Sequence, residues 1–229
     1  CMGRFRNNRE MQAMKLSRRQ FFQAASGAVA FASLPHVLRR AGIAADDVDE
    51  VVMGCVLQAG QGQAPARQAS IGAGIPNSTG ATTVNKMCGS GLKTIITAAE
   101  QIKAGSNSLL VAGGMENMSQ IPFVLPNFRW GNRLGHSEVK DLMLTDGLWD
   151  CFYDCHMGVT AENLASKYKV TREEQDNFAL RSQKRWALAN SKGFFSDEIV
   201  PVEVNSSGVL TSQSKDEHPR PRATIEDLE

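Results

Sequence analysis

The sequence predicts a layered α/β domain built on a largely parallel sheet. Three observations lead to this fold class: short apolar runs of strand length, helix-period segments that alternate with them, and glycine at the ends of several of these segments. Strands are predicted at residues 48–57, 81–87 and 108–114. The continuous apolar run of the last is typical of a strand covered on both faces.

Helices are predicted at residues 34–42, 64–74 and 89–105, before and between these strands. In the third helix, apolar residues recur at the spacing of one helix face: Leu92, Ile95, Ile96, Ala99 and Ile102. Because helices alternate with strands, we expect the strands to run parallel and the helices to cover the sheet.

After Gly114 the pattern changes. Residues 119–141 contain two prolines and two glycines, which predict a long irregular excursion. Two helices follow, and the second, ending near residue 191, opens with a capping box formed by Thr171 and Glu174. Residues 198–204 predict an edge strand that contains a proline. The tail from residue 205 is polar, and we expect no further core element there.

The first 35 residues resemble an export signal. Arg18 and Arg19 form a twin-arginine pattern, and an uncharged, mostly apolar run follows as far as Pro35. The alternative is an amphipathic first helix, although two arginines beside an uncharged stretch make poor amphipathic spacing. The run is too short to span a bilayer.

Composition and charge exclude several classes of function. The formal net charge is +1, so no global field favours nucleic acid. The five cysteines are irregularly spaced in a chain of 229 residues, which does not indicate a disulfide framework and favours a reducing compartment.

Cys88 is the main candidate for chemistry. It lies between a predicted strand and a predicted helix, where free N–H groups and the helix dipole favour a thiolate. Gly89, Ser90 and Gly91 keep the first turn small, so that a bulky substrate can approach the sulfur. This arrangement is expected of a nucleophile elbow that carries cysteine in place of serine. The alternative is a buried, inert cysteine.

Two other clusters favour structural interpretations. Cys151, Cys155 and His156 have spacing that a metal site could use, but no fourth ligand is apparent. The Gly-x-Gly pairs at residues 60–62 and 72–74 lack the strand–loop–helix frame of a dinucleotide site and are interpreted as turns.

Several segments resemble the thiolase family in the family's own order. They include VNKMCGSGLKTIITAAEQI, LLVAGGMENMSQIP, DGLWDCFYDCHMGVTAENLASKY and TREEQDNFALRSQKRW. The resemblance covers residues 36–229 and implies a thiolase-type α/β/α layered domain with an inserted loop domain. It divides the chain into a signal-like segment foreign to the family (1–35), an N-terminal core (36–118), and a truncated loop and coenzyme A-binding region (119–229).

The resemblance also implies a reaction and a set of site residues. Cys88 would take the acyl group of a coenzyme A thioester as a covalent acyl-enzyme. Coenzyme A contacts are implied, by position in the family's motifs, for Leu148, His156, Met157, Gln183 and Arg220. Without the resemblance, a histidine before a helix is more often a cap or a core residue. The expected substrates are acyl-CoA and acetyl-CoA, with no separate cofactor and no metal.

The resemblance further implies a homo-oligomer, dimer or tetramer, with no nucleic-acid partner and no membrane span. Because coenzyme A thioesters are cytosolic, we expect a cytoplasmic protein, with the periplasm as the alternative.

The family places further catalytic groups in a second half: a histidine in Gly-His-Pro, a cysteine in Cys-x-Gly, and an Asn-Glu-Ala segment. None occurs in residues 36–229, which the resemblance covers, so we expect the chain alone to be inactive in condensation, and we expect exposed apolar sheet surface. The alternatives are a non-catalytic coenzyme A-binding or oligomerisation module, or a misassembled reading frame.

Overall fold

The computed structural model of the chain describes residues 16–17, 27–206 and 209–228. Its strands, in chain order, are β1 Leu16–Ser17, β2 Glu50–Gly54, β3 Gly80–Val84, β4 Leu110–Gly114, β5 Phe123–Val124, β6 Lys140–Asp141, β7 Trp149–Asp150, β8 Cys155–His156, β9 Val202–Ser206 and β10 Val209–Gln213. Its α-helices are α1 Gly27–Ala41, α2 Pro65–Gly72, α3 Ser90–Ala104, α4 Met157–Tyr168 and α5 Arg172–Ser191.

The central sheet has three parallel strands in the order β3–β2–β4. Val52, in the middle of β2, aligns with Thr82 on one side and Ala112 on the other. Since β2 lies between its two neighbours, the first predicted strand is the centre of the sheet and the next two flank it. The predicted parallel sheet is confirmed.

Side chains alternate along a strand, so β2 has two faces. A helix covers each of them. Val51 and Met53 belong to a buried cluster with Ala66 and Ala69 of α2. Gly54 instead faces α3, whose first residues lie against it. The chain is therefore layered as α/β/α, which confirms the predicted fold class.

Small side chains let α2 approach the sheet closely. The helix begins with Pro65, which is favourable at a first helical position, and it buries Ala66, Ala69 and Ser70. Helix α1 packs against α2 and contributes Leu34 and Leu38 to the same apolar cluster.

Helix α1 begins seven residues before its predicted start and runs through Pro35. The proposed boundary between residues 35 and 36 thus falls inside a helix. The twin-arginine pair lies outside the described residues.

The chain after β4 is irregular, as predicted for residues 119–141. Strands β5 and β6 contain two residues each, and a π-helix at Leu144–Leu148 precedes the β7–β8 hairpin.

The capping box is confirmed: the Thr171 hydroxyl accepts from the Glu174 amide, and the Glu174 carboxylate accepts from the Thr171 amide. The polar tail, in which no further core element was expected, contains strand β10, which pairs antiparallel with β9.

Among the described residues, exposed large apolar side chains occur on helix α3 but not on the three strands of the central sheet. Leu92 and Ile95 are 64% and 56% exposed, whereas Val51 and Val52 of the central strand are fully buried. The expectation of exposed apolar sheet surface is therefore wrong for the central strand, because α2 and α3 cover it. No helix in the described part of the chain is long and apolar enough to cross a membrane.

Candidate active site

Cys88 lies in a tight turn between β3 and α3. The strand ends at Val84, three residues before the predicted end, and the helix begins at Ser90. The Ser90 hydroxyl donates to the Met87 carbonyl at 2.6 Å and accepts from the Lys86 amide at 2.8 Å. These bonds fold the turn back on itself and present the exposed Cys88 thiol two residues before the helix begins.

Met87 adopts a left-handed backbone conformation, with φ of +48°. This conformation is uncommon for a residue with a side chain, and it occurs where the surrounding contacts determine the backbone. The next residue is Cys88, so the direction in which the thiol projects depends on how firmly the backbone at Met87 is held.

Gly54 allows α3 to begin directly against the end of β2. A Cβ atom at this position would lie 2.6 Å from the Ser90 carbonyl carbon and 2.8 Å from the Gly91 nitrogen, both backbone atoms. Any larger residue would displace the start of the helix. Glycine at residue 54 is therefore a condition for the position of Cys88.

A cavity of about 700 Å³ opens beside the Cys88 thiol. Its wall is mainly apolar, with one carboxylate, and is formed by Gly54, Val56, Leu57, Met87, Cys88, Ser90, Gly91, Gly114, Met115, Glu116, Met118, Met143, Gly147 and Leu148. Unbranched methionine side chains adapt to ligands of irregular shape. A thiol beside a mainly apolar cavity and near a helix N-terminus suits a nucleophile that meets an uncharged, extended ligand.

The structure brings together some of the predicted site residues and separates others. Leu148 lines the cavity with Cys88. Gln183 and Arg220 meet each other, since the Gln183 side-chain oxygen accepts from the Arg220 amide at 2.7 Å. His156, Met157, Gln183 and Arg220 do not line the Cys88 cavity.

His156 caps helix α4. Its Nδ1 accepts from the Gly158 amide at 2.9 Å, and Met157 is the first residue of the helix. An acceptor Nδ1 leaves the proton of a neutral imidazole on Nε2. The capping role weighed for this histidine is therefore present, and Nε2 remains as a donor.

Sequence reasoning missed two residues that shape this site, Gly54 and Glu116. Both lie at the carboxyl ends of parallel strands, Gly54 at the end of β2 and Glu116 two residues after β4. Ligands of open α/β sheets bind at these ends, so this rule would have indicated both positions.

Two other clusters were considered as possible ligand sites in the sequence. The described residues contain no group of three or more histidine, cysteine, aspartate or glutamate side chains that could hold a metal ion. Gly60, Gly62 and Gly74 have positive φ angles, which supports their interpretation as turns.

The fold and the site together define a class of protein. It is a layered α/β protein with an exposed cysteine near a helix start, beside a mainly apolar cavity. The family model for the thiolase N-terminal domain matches residues 12–229. The chain belongs to the thiolase family.

Named relatives agree with this assignment. The chain is 50% identical over 198 residues to an acetyl-CoA acetyltransferase of Pseudomonas aeruginosa, covering 86% of this chain and 50% of the relative. Relatives of the same name from Thiocystis violacea and Allochromatium vinosum are each 48% identical, covering 85% and 86% of this chain and 50% of each relative. The chain thus spans about half the length of the curated relatives it matches.

Proposed function

We propose that the chain is the nucleophile-bearing half of an acyl-CoA acetyltransferase. The observation that carries the proposal is the exposed Cys88 thiol near the start of α3, beside a mainly apolar cavity of about 700 Å³. The family assignment and the names of the relatives support the same activity.

The proposed step is acylation of Cys88. The thiolate attacks the thioester carbonyl, a bond forms between the Cys88 sulfur and the acyl carbon, and the bond to the coenzyme A sulfur breaks. Coenzyme A leaves as a thiolate, so charge is conserved. The N-terminus of α3 suits the anionic sulfur and the developing oxyanion, because the aligned peptide dipoles give a helix N-terminus a partial positive charge.

Leu148 and the methionines of the cavity suit the uncharged pantetheine arm of the substrate. For the nucleotide end we propose Gln183 and Arg220, which are joined by a hydrogen bond, because a guanidinium group binds phosphate well. His156 and Met157, at the start of α4, are proposed as contacts between these ends. We propose no cofactor, since the coenzyme A thioester is the substrate.

We further propose that condensation of two acetyl groups needs the histidine, the second cysteine and the Asn-Glu-Ala segment of the family's other half. Carbanion formation requires a base and an oxyanion hole, each worth several orders of magnitude in rate. We also propose a homo-oligomer, as the family resemblance implies. We propose a cytoplasmic location because coenzyme A thioesters are cytosolic; recovery of a processed form from the periplasm would contradict this location.

Purified chain incubated with acetyl-CoA tests the reaction. We expect mass spectrometry of peptides to find one acetyl group on Cys88 and none in Cys88→Ser, whereas Cys151→Ser retains the label. Cys151 is the matched control because it is also exposed.

Two results would change the proposal. Binding of coenzyme A without label on Cys88 would replace acyl transfer by the alternative of a non-catalytic binding module. Synthesis of acetoacetyl-CoA by the chain alone, lost in Cys88→Ala, would show that the chain needs no second half.

A further inference from the structure

Glu116 joins the ends of two neighbouring strands. It follows β4, and its carboxylate accepts from two backbone amides in the loop after β2: Val56 at 2.8 Å and Leu57 at 3.1 Å. Hydrogen bonds to a carboxylate are shorter and stronger than bonds between neutral groups. Because the two oxygens accept from successive residues, the carboxylate fixes both the position and the orientation of this loop.

The same loop holds the turn that carries the thiol. The Val56 carbonyl accepts from the Asn85 side-chain amide at 3.2 Å, and the Asn85 side-chain oxygen accepts from the Met87 amide at 3.0 Å. Hydrogen bonds therefore run from Glu116 through the Val56 peptide backbone and Asn85 to Met87. We call this series the Glu116–Met87 chain.

The Glu116–Met87 chain ends at the residue whose backbone is strained. Met87 has a φ of +48°, and such a conformation persists only where several contacts determine it. Its carbonyl is already held by Ser90, and the Glu116–Met87 chain holds its amide. With both sides of Met87 held, the following residue, Cys88, has a defined orientation beside the cavity.

We infer that Glu116 and Asn85 are positioning residues for the Cys88 nucleophile, acting through the backbone of Val56 and Met87. The inference rests on the proposed acyl transfer at Cys88. Glu116 lines the same cavity as the thiol, but its role in this inference is to orient the loop rather than to transfer a proton.

Hydrogen exchange tests the connection without any need for activity. In Glu116→Gln, an amide N–H₂ replaces one acceptor and faces a backbone donor. We expect faster exchange at the Val56 and Leu57 amides and also at the Met87 amide, which Glu116 does not touch. Glu100→Gln is the matched control: it removes the same charge from a surface pair with Lys93 on α3 and leaves the Met87 amide unchanged.

A pair of Asn85 variants separates the two hydrogen bonds of this side chain. Asn85→Leu loses both bonds, whereas Asn85→Asp keeps the oxygen that accepts from Met87. We expect acetylation of Cys88 by acetyl-CoA to slow by about tenfold in Asn85→Leu and in Glu116→Gln, and by less in Asn85→Asp, because small misplacements of a reacting group cost up to about a hundredfold in rate.

Alkylation by iodoacetamide, with Cys151 as internal reference, distinguishes positioning from general loosening. Iodoacetamide is small and needs little orientation, so we expect the Cys88 to Cys151 ratio to change by less than about threefold, well below the effect expected for oriented acyl transfer. Faster exchange at Val56 and Leu57 with no change at Met87 would overturn the inference. If the wild-type chain is not acetylated at all, the proposed function fails, but the exchange experiment still decides the connection.

Discussion

The region up to β4 and the region after it are held together in different ways. Among the described side chains, every buried apolar residue except Leu180 precedes residue 115. After that point large apolar side chains stand in solvent, such as Leu134 at 96% and Phe152 at 90% exposed. The first region thus depends on burial between distant residues, while the second depends on local hydrogen bonds at helix and turn ends.

The candidate site combines both regions unequally. The sheet region supplies Cys88, the glycine that admits α3, and the ends of β2 and β4. The region after β4 adds two groups of lining residues: Met115, Glu116 and Met118 directly after the strand, and Met143, Gly147 and Leu148 further along the chain. We therefore expect substitutions up to residue 118 to affect stability and the thiol together, and substitutions after residue 118 to remain local.

The largest effect is expected from Gly54→Ala. The new Cβ would lie 2.6 Å from a backbone atom of Ser90, so helix α3 must move away from the sheet. Overpacking of this kind costs about 1–3 kcal/mol or more. Urea denaturation of the purified chain should show a lower midpoint with an unchanged slope.

Gly91→Ala is the matched control for this prediction. A Cβ at residue 91 has nothing within 4 Å, and alanine is a better helix former than glycine by up to about 1 kcal/mol. We expect unchanged or slightly increased stability. Equal destabilisation by the two variants would show that Gly54 does not act through close contact with α3.

A smaller, local effect is expected from Thr171→Ala. It removes one half of the capping box at the start of α5, at a cost of about 1 kcal/mol. Helix α5 buries only Leu180, so little tertiary packing compensates. Hydrogen exchange should accelerate in the first turn of α5 and remain unchanged in β2.

Ser182→Ala, in the interior of α5, is the control for the cap. Its hydroxyl donates to the Phe178 carbonyl within the same helix, a bond that competes with helix hydrogen bonding. We expect almost no change. If Thr171→Ala accelerated exchange in β2 as strongly as in α5, the two regions would form one cooperative unit, and the comparison drawn above would be wrong.

Much of this fold could be predicted because its signals are local. Helix α3 and the capping box of α5 follow from periodicity and from short motifs. The position of Cys88 between a strand and a helix follows from the same signals. Strand β10 escaped prediction because the tail that contains it is mostly polar, and its backbone pairing with β9 is not encoded by an apolar pattern.

The contacts that orient the site could not be predicted in the same way. Glu116 binds amides 59 and 60 residues earlier in the chain, and no local pattern encodes such a pairing. Leu148 was assigned by resemblance, but it reaches the cavity at the end of a π-helix that no sequence pattern indicated. Likewise, no local pattern shows that α2 and α3 leave the large apolar side chains of the central sheet covered.

The smallest effect is expected from Asp49→Asn, whose loss of stability depends on pH. The Asp49 carboxylate accepts from the Leu109 and Ser108 amides at 2.9 and 2.7 Å and so joins the chain just before β2 to that just before β4. These two backbone hydrogen bonds lower the pKa of Asp49 below its ordinary value of 3.8, the bond from Leu109 more than the bond from Ser108. A lowered pKa in the folded state means that the ionised form stabilises the fold at pH values above 3.8.

The contribution of Asp49 is therefore present at neutral pH and is lost as the pH falls from about 3.8 through the lower folded-state pKa. We expect Asp49→Asn to be less stable than the wild type at pH 7 and the two to converge on acidification, as measured by thermal unfolding across this range. Asp46→Asn removes the same charge from an exposed neighbouring position, and its difference from the wild type should stay small throughout. A deficit in Asp49→Asn that persisted undiminished at the acid end would mean that the side chain acts by packing and not through its charge.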